Sequence, residues 1–173
     1  MPAPRDPPTS PLMTALLDTL GSLPGLGLLP ADRCAQALGL TCVTISARAG
    51  AHAPELIWHA PGDRLGTVLE DLQYTLGEGP TLDCVRHGQA VTEPDLERTP
   101  GTRWPVFLPE ALHTGAGAVF AFPLSIGAVQ LGAFTGYRTR AGPLTLQQHL
   151  DAQVHRHRHL PAAGPAARRR RPP

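Results

Sequence analysis

The chain contains no lysine and no asparagine, and its fifteen basic residues other than histidine are all arginine. Lysine and asparagine codons are AT-rich, so the bias points to a GC-rich coding sequence rather than to a chemistry. Aromatic residues are few, with two tryptophans, two tyrosines and four phenylalanines. A core must therefore rest mainly on leucine, valine and alanine. Cysteine is scarce too: Cys34, Cys42 and Cys84 form an odd set without CxxC spacing, which excludes a disulfide framework and a zinc site. Reduced thiols and a cytoplasmic location are the expectation. No run of the roughly 18 apolar residues that a membrane span needs is present. The first ten residues, MPAPRDPPTS, hold an acid and four prolines where a signal peptide needs a basic and then an apolar region.

What is abundant is glycine, 18 residues, and proline, 20, within a length of 173. Five prolines fall in the first eleven residues and four in the last thirteen. Proline-rich polar ends cannot bury enough apolar surface to offset the entropy of ordering. The expected organisation is a disordered arm over 1–10, one domain over 11–154 and a disordered basic tail over 155–173. Charge divides at the same boundary. Residues 1–154 carry all fourteen acids and nine arginines, whereas the tail carries six arginines and no acid. Arg168 to Arg171 suit only non-specific, salt-sensitive attraction to nucleic acid, so no specific nucleic-acid partner is expected. His155, His157 and His159 alternate with arginines that would repel a metal ion. No metal site or cofactor is expected.

Periodicity supplies the elements. Ser10 and Pro11 read as a helix start, and Leu12, Leu16, Leu20 and Leu23 form one stripe of a helix over Leu12–Leu23. A terminal stripe of this kind is expected to contribute to a homodimer. A short helix fits Pro30–Leu38, closed by Gly39. LTCVTISAR, Leu40–Arg48, sets Cys42, Thr44 and Ser46 against Val43, Ile45 and Ala47 as a strand. ELIWHA, Glu55–Ala60, is its hairpin partner. Asp63 is a good N-cap for a helix whose buried face is Leu65, Val68, Leu69, Leu72 and Leu76. Gly77 and Gly79 turn the chain, and Pro80–His87 is a short helix. Gln89–Leu96 is an edge strand running into a loop, and RWPVFLPEALHTG is helical. Gly117–Ile126 and Gly127–Arg138 form a second hairpin, with Val119–Leu124 and Ala128–Thr135 as adjacent central strands. Residues 144–154 suit a last helix. Hairpins at both ends exclude a doubly wound parallel sheet and indicate an α+β domain, a central antiparallel sheet with helices packed on it.

Four motifs in this order carry a family likeness: DLQYTLGEGPTLD (Asp71–Asp83), VTEPDL (Val91–Leu96), RWPVFLPEA (Arg103–Ala111) and GAVFAFPLSIGAVQLGAF (Gly117–Phe134). The chain resembles the GAF portion of actinobacterial regulators that join a GAF domain to an ANTAR module. The resemblance implies a pocket between the sheet and the helices and loops over it, binding of a small ligand or a signalling protein, and dimerisation. Two departures stand out. Thr81 occupies a position where cysteine is expected after the Gly-Pro pair, and no ANTAR module fits in the 35 residues after Arg138.

The candidate pocket residues are Tyr74, Glu78, Gly79, Thr81, Trp104, Phe107 and Phe122. The glycine-rich turn LGEGP opens a helix, and backbone N–H groups there suit an anionic group; turn chemistry alone accounts for the glycines and is the favoured reading. Trp104, at a loop-to-helix junction, is the best pocket candidate, and ordinary packing is the alternative for each aromatic. Glu70, Asp71, Glu78 and Asp83 read mostly as solvent-facing. Cys84 lies near a helix N-terminus, where a thiol pKa falls, although buried free cysteines are commoner. No Ser-His-Asp or paired-carboxylate constellation stands out. The expected function is a non-enzymatic sensory or regulatory domain in signalling or transcription control. The alternatives are a cysteine-dependent redox enzyme of the free methionine sulfoxide reductase type on the same fold, and a truncated, degenerate relative.

Overall fold

A computed structural model describes residues 30–153 apart from 49, 51, 127 and 128. The N-terminal arm, the helix expected over Leu12–Leu23 and the basic tail lie outside the described residues. Five strands form one antiparallel sheet: β1 (Cys42–Ala47), β2 (Glu55–His59), β3 (Val91–Glu93), β4 (Ala118–Ile126) and β5 (Val129–Arg138), in the spatial order β2-β1-β5-β4-β3. β4 and β5 pair from Ala118 opposite Arg138 to Ile126 opposite Val129, so Val119–Leu124 and the described part of Ala128–Thr135 are adjacent as expected, while Ala128 lies outside the described residues. The short β3 is at the edge, as its length and flanking loop indicated.

Among the described residues five α-helices cover the sheet: α1 (Ala31–Ala37), α2 (Arg64–Leu76), α3 (Pro80–His87), α4 (Phe107–His113) and α5 (Leu146–Gln153). Their ends follow from local chemistry. The Asp63 carboxylate accepts the Gly66 N–H at 3.1 Å, capping α2, and Gly77 ends it at φ 72°. Pro80 begins α3. Thr145 and Gln148 exchange side-chain and backbone hydrogen bonds at the start of α5, at 2.9 and 3.2 Å, a reciprocal capping box.

The strict alternation of β1 sorts its residues onto two covered faces rather than onto a wet and a dry one. Val43, Ile45, Trp58, Phe120, Phe122 and Phe134 pack with Ala31, Cys34, Ala35, Leu38 and Ala152 on the side of α1 and α5. Cys42, Val119, Ala121, Ala133 and Tyr137 pack with Leu69, Cys84, Val85, Trp104, Phe107 and Ala111 on the side of α2, α3 and α4. Thr44 and Ser46 share this second face with Cys42, and both are buried.

The face that α2 turns to the sheet differs from the leucine stripe. Gly66, Leu69, Glu70 and Gln73 are buried, whereas Leu65, Leu72 and Leu76 are half-buried and Val68 is exposed. Gly66 decides this. A methyl group there would overlap the capping Asp63 carboxylate and come within 2.9 Å of the Thr44 methyl, so glycine suits the close approach of this helix to β1.

Candidate functional site

The rotation of α2 carries Glu70 into the interior, where the residue is 6% exposed. Its Oε1 accepts hydrogen bonds from the hydroxyls of Tyr137 at 2.7 Å, Thr44 at 2.8 Å and Thr81 at 3.1 Å, and its Oε2 accepts one from Ser46 at 2.9 Å. Gln73, one turn further along α2, completes the cluster. Its amide nitrogen donates to Tyr137 at 2.9 Å and to Thr81 at 3.1 Å, and its Oε1 accepts the Thr81 backbone N–H at 2.6 Å. The Thr81 and Thr135 hydroxyls lie 2.9 Å apart. These groups come from α2, α3, β1 and β5, so one carboxyl joins two helices to two adjacent strands.

Four hydroxyl donors can satisfy a carboxylate's geometry, but none of them is a cation. A buried charge that is hydrogen-bonded yet unpaired remains costly. Burial accordingly raises the Glu70 pKa above the usual carboxylate value, and the four hydroxyl bonds pull it back only in part. The Tyr137 hydroxyl is raised well above its usual value, by burial first and then by Glu70. The cluster is thus a buried polar junction whose carboxyl is biased toward its protonated form.

The candidates named from the sequence separate into distinct places. Thr81 belongs to the Glu70 cluster. Gly79 has φ 138°, and a side chain there would overlap the Gln73 amide. The Thr81 N–H at the start of α3 is taken by Gln73, so the LGEGP turn directs this donor inward rather than to an anion. Glu78 accepts the N–H groups of Val106 and Phe107 at 2.6 and 2.7 Å, capping α4. Trp104 is 1% exposed, donates its indole N–H to Asp83 at 2.9 Å and meets Phe107 edge-on at 6.0 Å between centroids. Glu78, Trp104 and Phe107 are therefore together, with Trp104 in packed surroundings. Tyr74 is 55% exposed on the outside of α2. Phe122 lies on the opposite face of the sheet, against His149. The seven do not line one pocket.

Of the four acids read as solvent-facing, only Asp71 is exposed; Glu70 is buried, and Glu78 and Asp83 are half-buried and hydrogen-bonded. The missed residues are Glu70, Gln73, Thr44, Ser46, Thr135 and Tyr137. Their signal was present as the 66-69-70-73 spacing on α2 and the polar alternation of β1.

Antiparallel order, two covered faces and a polar cluster under α2 and α3 can be set beside solved structures. The GAF domain of a phosphoenolpyruvate-protein phosphotransferase from Coxiella burnetii superposes with a TM-score of 0.58 at 14% identity, covering 83% of this chain and 90% of that one. The fold is GAF-like. An N-acylhomoserine-lactone-dependent LuxR-family transcription factor from Burkholderia cenocepacia gives 0.59 at 18% identity, covering 80% and 82%. A domain of a two-component sensor histidine kinase protein from Sinorhizobium meliloti gives 0.53 at 14%, covering 72% and 82%. No family model matches the sequence, and no curated protein matches it. At these identities the GAF-like likeness is one of fold.

The remaining chemistry of the GAF-like domain is sparse. Cys34, Cys42 and Cys84 are all buried and none is in a disulfide. Burial, and then Asp32, push the Cys34 thiol up to about 11. Burial, and then the Asp63 carboxylate, raise Cys42 further. Among the described residues no three His, Cys, Asp or Glu side chains are grouped to hold a metal ion, and no helix is long and apolar enough to cross a membrane.

Proposed function

We propose that this chain is a non-enzymatic sensory or regulatory domain of a signalling or transcription-control protein. In this reading it answers a small ligand or a protein partner by moving α3 against the sheet. One observation carries the proposal: an uncompensated carboxyl, Glu70, is the junction of α2, α3, β1 and β5. A cluster of this kind is stable only while every member is satisfied. Withdrawing Thr81 with α3 breaks contacts to Glu70 and Gln73 together, which gives the domain two discrete arrangements. A ligand or partner shifts such an equilibrium by binding one arrangement better.

The GAF-like fold and the order of the four motifs support a role like that of the GAF portion of actinobacterial regulators. Three buried thiols suit a reducing compartment such as the cytoplasm. The Cys34 and Cys42 thiols have raised pKa and are poor nucleophiles, and Cys84 is fully buried, which weighs against a cysteine-dependent redox enzyme. Two measurements test the proposal. Hydrogen exchange should show α3 amides opening at lower free energy than those of β4 and β5; equal protection contradicts a mobile α3. Free methionine sulfoxide should not be reduced; turnover abolished by Cys84→Ser would replace the sensory reading with an enzymatic one.

A further inference from the structure

Outside the Glu70 cluster, a half-enclosed cleft of about 330 Å³ lies between Arg48 and His52–Pro54 on one side and the flank of α3 on the other. One wall is Arg48, His52, Ala53 and Pro54; the other is Leu82, Val85 and Arg86, with Gly77 at the end of α2. Pro54, Leu82 and Val85 are buried and make an apolar base, while Arg48, His52 and Arg86 are exposed around it. No aspartate or glutamate lines the cleft, although acids outnumber arginines over residues 1–154.

The cations are held in place. Arg48 is anchored twice: its backbone N–H donates to Leu131 at 2.7 Å, and its Nε donates to the Gly50 carbonyl at 2.8 Å. Its guanidinium has no carboxylate partner among the described residues. The terminal nitrogens are thus free to form the two-pronged bonds that a carboxylate accepts. Arg86 is shared with Asp83 at 3.3 Å, whose other oxygen is held by Trp104. The His52 ring supplies a further polar group.

We propose that this cleft binds a small organic anion, a carboxylate on a short apolar body. Arginine at the rim selects the charge and the Pro54–Leu82–Val85 base selects the body. The proposal rests on the reading of the chain as a ligand-responsive domain, and it gives that ligand a place. Arg48 follows Ser46 by two residues and Leu82 follows Thr81. An anion bridging Arg48 and Arg86 therefore ties the end of β1 to α3, the two elements whose hydroxyls meet on Glu70.

Amide NMR titrations of the full chain test this, with benzoate, benzyl alcohol and inorganic phosphate as probes. Benzoate should shift the amides of Arg48, Leu82, Val85 and Arg86 and bind at least about tenfold tighter than either other probe. Arg48→Gln should weaken benzoate by about tenfold or more, as loss of a charge-assisted hydrogen bond does. Arg64→Gln, exposed at the start of α2, should leave it unchanged. Arg48 is at the surface, and unshifted β4 and β5 resonances will report an intact fold. Absent shifts at millimolar benzoate, equal binding of benzyl alcohol or phosphate, or undiminished affinity in Arg48→Gln would each overturn the proposal. None of these results touches the exchange of α3 amides, so the cleft and the sensory reading fail separately.

Discussion

Glu70 shows how one residue escapes a sequence reading. It follows Leu69 and precedes Asp71, and counting leucines puts it beside the buried stripe rather than on it. The close approach at Gly66 turns the helix so that Glu70 and Gln73, not Val68, meet the sheet. Thr44 and Ser46 were legible as one face of β1, but not as a dry face, because their cover comes from helices that begin at residues 64 and 80. Gly79 belongs to the same cluster. In Gly79→Ala the new methyl group would displace the Gln73 amide and sit at an unfavourable positive φ. A destabilisation of about 1–3 kcal/mol is expected from the strained backbone alone, measured by urea unfolding; an unchanged midpoint would show that Gln73 has room to move.

The pH response of Glu70 can also be given a sign. Its folded pKa is raised, so the folded protein holds this proton more tightly than the unfolded chain. Its contribution is fully favourable below the unfolded value of about 4.3. That contribution is lost as pH rises through the folded value. Glu70→Gln keeps the side-chain size and cannot ionise. The stability of Glu70→Gln relative to the unsubstituted protein should therefore increase with pH above the ordinary carboxylate range, as read from urea unfolding at a series of pH values. A constant difference would mean that Glu70 titrates normally.

At the scale of elements, punctuation in the sequence was a reliable guide. Asp63 caps α2, Gly77 ends it, Pro80 starts α3 and Gly88 ends that helix at φ 65°. Connections between elements were not legible, because they join residues far apart in the chain. Glu78, in the turn between α2 and α3, caps α4 across 28 residues. Glu78→Ala should cost about 0.5–2 kcal/mol, the usual value of a lost N-cap, and should raise amide exchange in α4 first. Arg138 binds the Gly39, Gly142 and Pro143 carbonyls and Gln148, at 2.7 to 3.3 Å. It fastens α1 and α5 to the end of β5. Arg138→Ala should destabilise by about 1–3 kcal/mol, with exchange rising at α5 before the central strands. Uniform exchange across the domain would deny Arg138 a local role.

For the whole molecule, the α+β class and the central hairpin were legible because two β-branched and apolar segments, Gly117–Ile126 and Gly127–Arg138, follow one another across a tight turn, and Ala133–Tyr137 is buried as a central strand requires. The candidate site was less so. Tyr74 and Phe122 were grouped with Trp104 as scarce aromatics, but the sheet divides Phe122 from Trp104 and the helix turns Tyr74 to water. What unifies the molecule instead is the carboxyl shared by sheet and helices. The most direct test is the opening free energy of α3 amides, corrected for intrinsic exchange, across pH in the unsubstituted protein and in Glu70→Gln. Opening admits water to Glu70. In the unsubstituted protein it should therefore become easier as pH rises and the carboxyl ionises, while β4 and β5 stay protected; in Glu70→Gln it should not vary with pH. Opening of α3 that follows β4 and β5 at every pH, or the same pH dependence in both proteins, would contradict a poised junction at Glu70.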